Sequence, residues 1–114
     1  MKILVCGGRD YQDIETMTAI LDELNAKQTI SLVINGDARG ADKNSTLWAN
    51  QRRIPTKLYP AKWNLYGKSA GYKRNLEMLL DSKPDLVVCF PGGKGTAMMK
   101  ALAEQHKYKV LDFQ

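Results

Sequence analysis

The sequence predicts a doubly wound α/β domain: a five-stranded parallel sheet in the order 3-2-1-4-5, with helices on both faces. Two observations predict it. Strand-like and helix-like runs alternate along all 114 residues with short links, a pattern that gives parallel strands joined by right-handed crossovers. Runs such as LVVCF are apolar at every position, as strands buried on both faces are and half-exposed strands are not.

Each element has its own signal. Lys2 to Cys6 is a continuous apolar run closed by Gly7 and Gly8. Ile14, Met17, Ile20, Leu21 and Leu24 recur at helical spacing and predict a helix from about Asp13 to Ala26. A second strand near Ile30 to Ile34 ends in NGDARGAD. The next helix, Ala41 to Arg52, stops before Ile54-Pro55, because proline disfavours helix in the residue preceding it. A third strand, Thr56 to Tyr59, runs into the polar and aromatic stretch PAKWNLYGKSAGY. The third helix carries Leu76, Leu79 and Leu80 on one face, has Arg74 near its start and ends near Ser82. Asp85 to Phe90 is the fourth strand, the helix after Gly95 extends to about Lys107, and Lys109 to Phe113 is a short fifth strand.

This length fits a single domain spanning residues 1–114, with a core that needs no disulfide or metal to hold it. At 44% hydrophobic and 25% charged residues, the composition is that of an ordinary globular protein. No stretch approaches the roughly 20 apolar residues of a membrane span, and MKILVCGG reads as a strand rather than a secretion signal. The expected address is the cytoplasm, with no membrane partner. The net charge of +5 points to an anionic partner, a small ligand ahead of a nucleic acid, with plain solubility as the alternative. Cys6 and Cys89 lie in apolar runs and read as small hydrophobes. On neighbouring strands they would come within bridging reach, but a cytosolic pair is expected to stay reduced. One His and two scattered Cys make no zinc site.

In such a sheet, ligands bind beyond the carboxyl ends of the strands where the strand order reverses. Strands one and four flank that point, and their loops, CGGRDY and FPGGKGT, are the most glycine-rich turns in the chain. NGDARGAD lies next door. Gly92, Gly93 and Gly95 let backbone N–H groups approach an anion. Gly95 and Thr96 open a helix whose first N–H groups lack partners and whose dipole favours negative charge. The Thr96 hydroxyl either bonds the phosphate or caps the helix, and Pro91 holds the turn. Two common motifs fail. A P-loop needs Lys followed by Ser or Thr, but Gly95 follows Lys94; the dinucleotide fingerprint needs a glycine where Met98 stands.

CGGRDY, GDARGAD, the tryptophan of PAKW, AGYKRN and FPGGKGT together resemble the SLOG superfamily. Those are the Rossmann-like proteins related to the DNA-processing protein DprA/Smf and to the LOG proteins. The small YspA-like (YAcAr) domains, often carried by bacteria and phages, are the branch this chain resembles most, over nearly its whole length. The resemblance implies a nucleotide or nucleotide-derived ligand on this edge, and a homodimer. In LOG-type phosphoribohydrolases an Arg-Lys pair precedes PGGxGT and glutamates follow it. Arg74 matches that arginine, with Asn75 in place of the lysine. Ala97, Met98 and Met99 stand where the glutamates belong, so the acids of N-glycosidic cleavage have no counterpart there.

The remaining candidates carry two readings each. Arg9 and Arg39 could grip phosphate through their planar forks, or pair with Asp10 and Asp42 to brace the loops. Arg74 near a helix start opposes the dipole, which suggests a compensating anion. Asp37 and Asp42 could bind ribose hydroxyls, coordinate Mg²⁺ or act as acid and base; helix capping is favoured for Asp42. Trp63 could stack on a base or plug the core, whereas Trp48 is expected to pack and His106 to sit solvated at a helix end. The expected ligand site comprises Gly7, Gly8, Arg9, Gly36, Asp37, Arg39, Trp63, Arg74, Asn75, Pro91, Gly92, Gly93, Lys94, Gly95 and Thr96. Asp37 and Arg74 are the catalytic candidates, no metal site is expected, and Mg²⁺ is the one cofactor considered. The expected function is nucleotide-ligand binding, as a sensor, a sequestering protein or a weak hydrolase. The rivals are a nucleic-acid-binding module and a structural oligomer subunit with a relict pocket.

Overall fold

The computed structural model describes residues 1–114. Its elements are β1 (Lys2–Cys6), α1 (Ile14–Lys27), β2 (Leu32–Asn35), α2 (Ala41–Gln51), β3 (Thr56–Leu58), α3 (Trp63–Tyr66), α4 (Ala70–Ser82), β4 (Leu86–Cys89), α5 (Lys94–Gln105) and β5 (Val110–Asp112). The five strands form one parallel sheet in the order β3-β2-β1-β4-β5, the order that the sequence predicts. No helix is long and apolar enough to cross a membrane.

The sheet divides the core into two halves, as period-two alternation requires. Ile3, Val5, Val33, Val88 and Phe90 face one way, against Met17 and Leu21 of α1 and Trp48 of α2. Leu4, Cys6, Ile34, Val87 and Cys89 face the other, against Met78 and Leu79 of α4 and Met99 and Leu102 of α5. Every residue of β4 is buried, which explains why LVVC shows no polar alternation. Trp48 is buried, and its indole N–H donates to Asp22 Oδ1 at 3.0 Å.

Four local expectations need correction. The polar and aromatic stretch after β3, to which the sequence pattern assigns no element, holds α3 and a 3₁₀ turn at Gly67–Ser69 before α4. Because α4 begins at Ala70, Arg74 lies in its second turn rather than at its start, so the helix-dipole argument for that cation does not hold. The inward face of α4 is Asn75, Met78, Leu79 and Ser82, spaced i, i+3, i+4, i+7. Leu80 points out, and it is exposed. Finally, α5 begins at Lys94, one residue before Gly95, which brings a third glycine-loop N–H into the first helical turn.

Candidate functional site

The carboxyl ends of β1, β2 and β4 converge on one cleft, and each loop is fixed by contacts with the next. The ladder between β1 and β4 continues past the strands, with Phe90 N–H donating to Cys6 O at 2.9 Å and Gly8 N–H donating to Pro91 O at 2.8 Å. Gly8 therefore spends its donor on the opposite loop rather than on a ligand. Two glycines are needed for close approach. A Cβ on Gly7 would meet Ala41 Cβ at 2.5 Å, and one on Gly92 would collide with the Thr96 hydroxyl and with Gly8 N. Gly93 and Gly95 differ: a Cβ there would meet nothing within 4 Å, so their missing side chains leave the mouth of the cleft open.

The loop after β2 is organised by buried polar groups. Asn35 Nδ2 donates to Asp42 O, Ser45 Oγ and Thr46 Oγ1, while its Oδ1 accepts from Asp37 N–H. Asp42 Oδ2 accepts the N–H groups of Gly36 at 3.1 Å and Ala38 at 3.2 Å. The capping role favoured for Asp42 is thus not what it does; α2 has Gly40 at its cap with no side-chain bond, and the carboxylate reaches back to brace the preceding loop. Burial pushes the Asp42 carboxyl up to about 6, against the pull of those N–H bonds and of Arg74. Asp37 turns outward with a left-handed φ of 56°, which Asp tolerates better than most residues. Its carboxylate pairs with Lys43 at 3.0 Å.

Arg74 stands between these loops. Its Nη1 donates to Gly36 O at 2.8 Å and Tyr59 O at 3.4 Å, and its Nε donates to Asn75 Oδ1 at 2.8 Å. Gly36 must be glycine here, because a Cβ would run into the Arg74 guanidinium. Burial pulls the guanidinium pKa down, with Asp42 opposing that shift. No carboxylate comes within ion-pair distance of Arg74, Arg9 or Lys94. Asn75 in turn donates to Gly95 O at 3.4 Å, tying α4 to the glycine loop.

The third wall is the start of α5. Ala97 N–H bonds Gly93 O, which leaves the N–H groups of Lys94, Gly95 and Thr96 without acceptors in the chain. No acidic residue occupies the first turn, so nothing in the chain answers the positive end of the helix dipole. Thr96 is 4% exposed and makes no capping bond; its hydroxyl borders the cleft without a hydrogen-bond partner.

These walls enclose a cleft of about 320 Å³ lined by residues including Gly7, Gly8, Arg9, Asp42, Arg74, Asn75 and Gly93 to Thr96. An adjoining cavity of about 360 Å³ is lined by Gly36, Asp37, Arg39, Pro60 and Trp63, and shares Arg9, Ala38 and Arg74 with the first. Of the fifteen expected site residues, thirteen line one cavity or the other. Pro91 and Gly92 do not; they set the geometry beneath. Trp63 is 49% exposed and does not plug the core, and Arg9 lies 5.7 Å from its ring centroid. Of the two readings left open for the loop arginines, bracing holds for Arg39, which pairs with Asp10 at 3.3 Å; Arg9 has no carboxylate partner. Cys6, Ala38, Met78 and Met99 also line the cleft and were not expected there. All but Ala38 sit on strand or helix faces that apolar patterning assigns to the core. No cluster of three or more His, Cys, Asp or Glu side chains stands where it could hold a metal.

Comparison with known proteins agrees with this architecture. A model of the family described as "YspA, cpYpsA-related SLOG family" matches residues 1–66. The Gene 61 protein of Mycobacterium phage D29 is 32% identical over 112 residues, a match that covers 93% of this chain and 89% of that protein. Among solved structures, MurG of Acinetobacter baumannii superposes with a TM-score of 0.61 at 12% identity, over 97% of this chain and 34% of that one. The phosphoribosylglycinamide formyltransferase of Coxiella burnetii superposes with a TM-score of 0.56 at 19% identity, over 98% of this chain and 50% of that one. The chain thus spans about a third and a half of those two proteins, and the likeness is one of fold.

Proposed function

This chain belongs to the YspA- and cpYpsA-related SLOG family, and from that premise we propose that it binds a small phosphate-bearing, nucleotide-derived ligand in the two-part cleft. One observation carries the reading. Arg74, half-buried and without a carboxylate partner, faces the unanswered N–H groups of Lys94, Gly95 and Thr96 across a single cavity. A buried charge left unpaired is costly, and a helix start without an anion is a ready phosphate site. A phosphate between them answers both. The adjoining cavity, lined by Trp63 and Asp37, would then take the base by stacking on Trp63 and the ribose hydroxyls at Asp37. The combined space suits a ligand of nucleotide size.

Binding without efficient turnover is the favoured mode, as a sensor or a sequestering protein. The carboxylates nearest the cleft are already engaged, Asp37 by Lys43 and Asp42 by two backbone N–H groups. Where Mg²⁺ accompanies the ligand, it would come on the ligand's own phosphate oxygens.

A thermal-shift panel of nucleotides, dinucleotides, ADP-ribose derivatives and cyclic nucleotides tests the proposal, since a ligand that prefers the folded state raises its melting temperature. A blank across the panel favours the structural-subunit alternative. A nucleic-acid partner is the second reading, and one observation favours it: between Asp42 and Glu77 the chain carries eight Lys or Arg and no carboxylate. Phosphate-backbone binding weakens steeply with salt. Oligonucleotide binding with a steep salt slope, and no mononucleotide binding, would reverse the ranking.

A further inference from the structure

We infer that Cys6 and Cys89 form a redox-active dithiol site beneath the cleft, which a low-molecular-weight disulfide closes to an intramolecular disulfide. The sheet register brings the pair together. Cys6 is directly opposite Cys89 in the parallel ladder of β1 and β4, and both side chains point to the same face, into one core cluster. Neighbouring strands run about 4.8 Å apart, inside the Cα separation that disulfides span. The two sulfurs lie 3.3 Å apart, with the Cys6 thiol directed at Cys89 Sγ, and no disulfide joins them.

The two thiols differ in access. Cys89 is 0% exposed, whereas Cys6 is 9% exposed and lines the cleft. Reagents therefore reach Cys6 alone. The Cys6 thiolate attacks one sulfur of a small disulfide, displacing one small thiolate and leaving a mixed disulfide on Cys6. Cys89 then attacks Cys6 Sγ and expels the second. Two cysteine thiols become one disulfide, and the small disulfide takes up the two electrons and two protons as two thiols. The hydrogen bond from Cys6 to Cys89 raises the Cys6 pKa, which makes the first step slow; the mixed disulfide removes that donor, so the resolving step rests on the closeness of the two sulfurs.

This site is independent of what the cleft binds. Its position still matters to the cleft, because the residues after each cysteine, Gly7–Gly8 and Phe90–Pro91, form the loops locked by Gly8 N–H and Pro91 O.

The experiment uses the intact protein with 2-hydroxyethyl disulfide, a small neutral reagent, followed by mass spectrometry and thiol titration. Wild type is expected to lose about 2 Da and both titratable thiols. Cys89→Ser is expected to trap a mixed disulfide on Cys6, and Cys6→Ser to leave Cys89 unmodified while folded, with thermal melts confirming the fold of each variant. Two free thiols persisting in wild type under excess reagent would overturn the proposal, as would a disulfide between two chains. Modification of Cys89 in folded Cys6→Ser would overturn the route through the cleft.

Discussion

Arg74 donates to the carbonyl of Gly36 at 2.8 Å across 38 residues of sequence, and it does so because Gly36 has no side chain to block it. The pair joins α4 to the loop after β2 and holds a cation in the cleft without giving it a carboxylate.

Replacing Arg74 with Gln should remove the charge while keeping a hydrogen-bond donor. A charge-assisted hydrogen bond contributes about 1.5–3 kcal/mol, so affinity for pyrophosphate should fall about 10- to 100-fold in calorimetric titration. Gly36→Ala should reproduce much of that loss with no change at Arg74 itself, because the new methyl displaces the guanidinium. Unaltered binding in folded Gly36→Ala would mean that the guanidinium can serve from another position.

The glycine loop gives a contrast between neighbours. Gly93→Val adds a side chain into open space at the cleft mouth, so it should leave the melting temperature almost unchanged and abolish close approach of an anion. Thr96→Ala removes one hydroxyl and should weaken binding less. Gly92→Ala forces a methyl against Thr96 and the backbone of Gly8, and should destabilise the fold by roughly 1–3 kcal/mol. Should Gly93→Val bind pyrophosphate as wild type does, the loop only reverses the chain.

The strands and their order are legible in the sequence because they rest on strong signals: uninterrupted apolar runs and glycine punctuation at each carboxyl end. What escaped depends on tertiary partners. Four residues between Lys62 and Gly67 are too few to show helical periodicity, so α3 is silent. Asp42 looks like a helix cap from its neighbours alone; only the fold shows that Gly36 and Ala38 present their N–H groups to it. Apolar spacing points the wrong face of α4 inward because Asn75 and Ser82 are polar yet buried, Asn75 by donating to Gly95 O and Ser82 by donating to Met78 O. Arg9 beside Trp63 joins the loop after β1 to the start of α3, more than fifty residues apart, a pairing that no local pattern announces.

Asp42 gives the cleft a pH dependence with a definite sign. Its folded pKa of about 6 lies above the ordinary 3.8, so the folded protein holds that proton more tightly than the unfolded chain. Stability from this group falls as pH climbs from 3.8 through about 6. The same ionisation places a negative charge beside the anion site. Sulfate, which does not titrate in this range, should therefore bind more tightly at pH 5 than at pH 8. Asp42→Asn should flatten both trends, since the amide oxygen can still accept from Gly36 and Ala38. A sulfate affinity that keeps its full pH dependence in Asp42→Asn would assign the titration to another group.

The last expectation concerns chemistry on the ligand. Breaking an N-glycosidic bond develops positive charge on the sugar, and a carboxylate must stabilise that charge or activate water. The first turns of α5 offer Ala97, Met98 and Met99 instead, none of which accepts a proton. Asp37 is paired with Lys43, on the outer cavity rather than against the α5 start. Asp42 does line the inner cleft, but one of its oxygens already accepts two N–H groups. Purified protein should accordingly release no appreciable free base from nucleoside 5′-monophosphates over hours, followed by chromatography. Slow release that disappears in Asp42→Asn would make Asp42 the acid and turn the binding protein into a weak hydrolase. Robust release that survives Asp37→Asn and Asp42→Asn together would require a catalytic group outside both cavities, and would sink this account of the site.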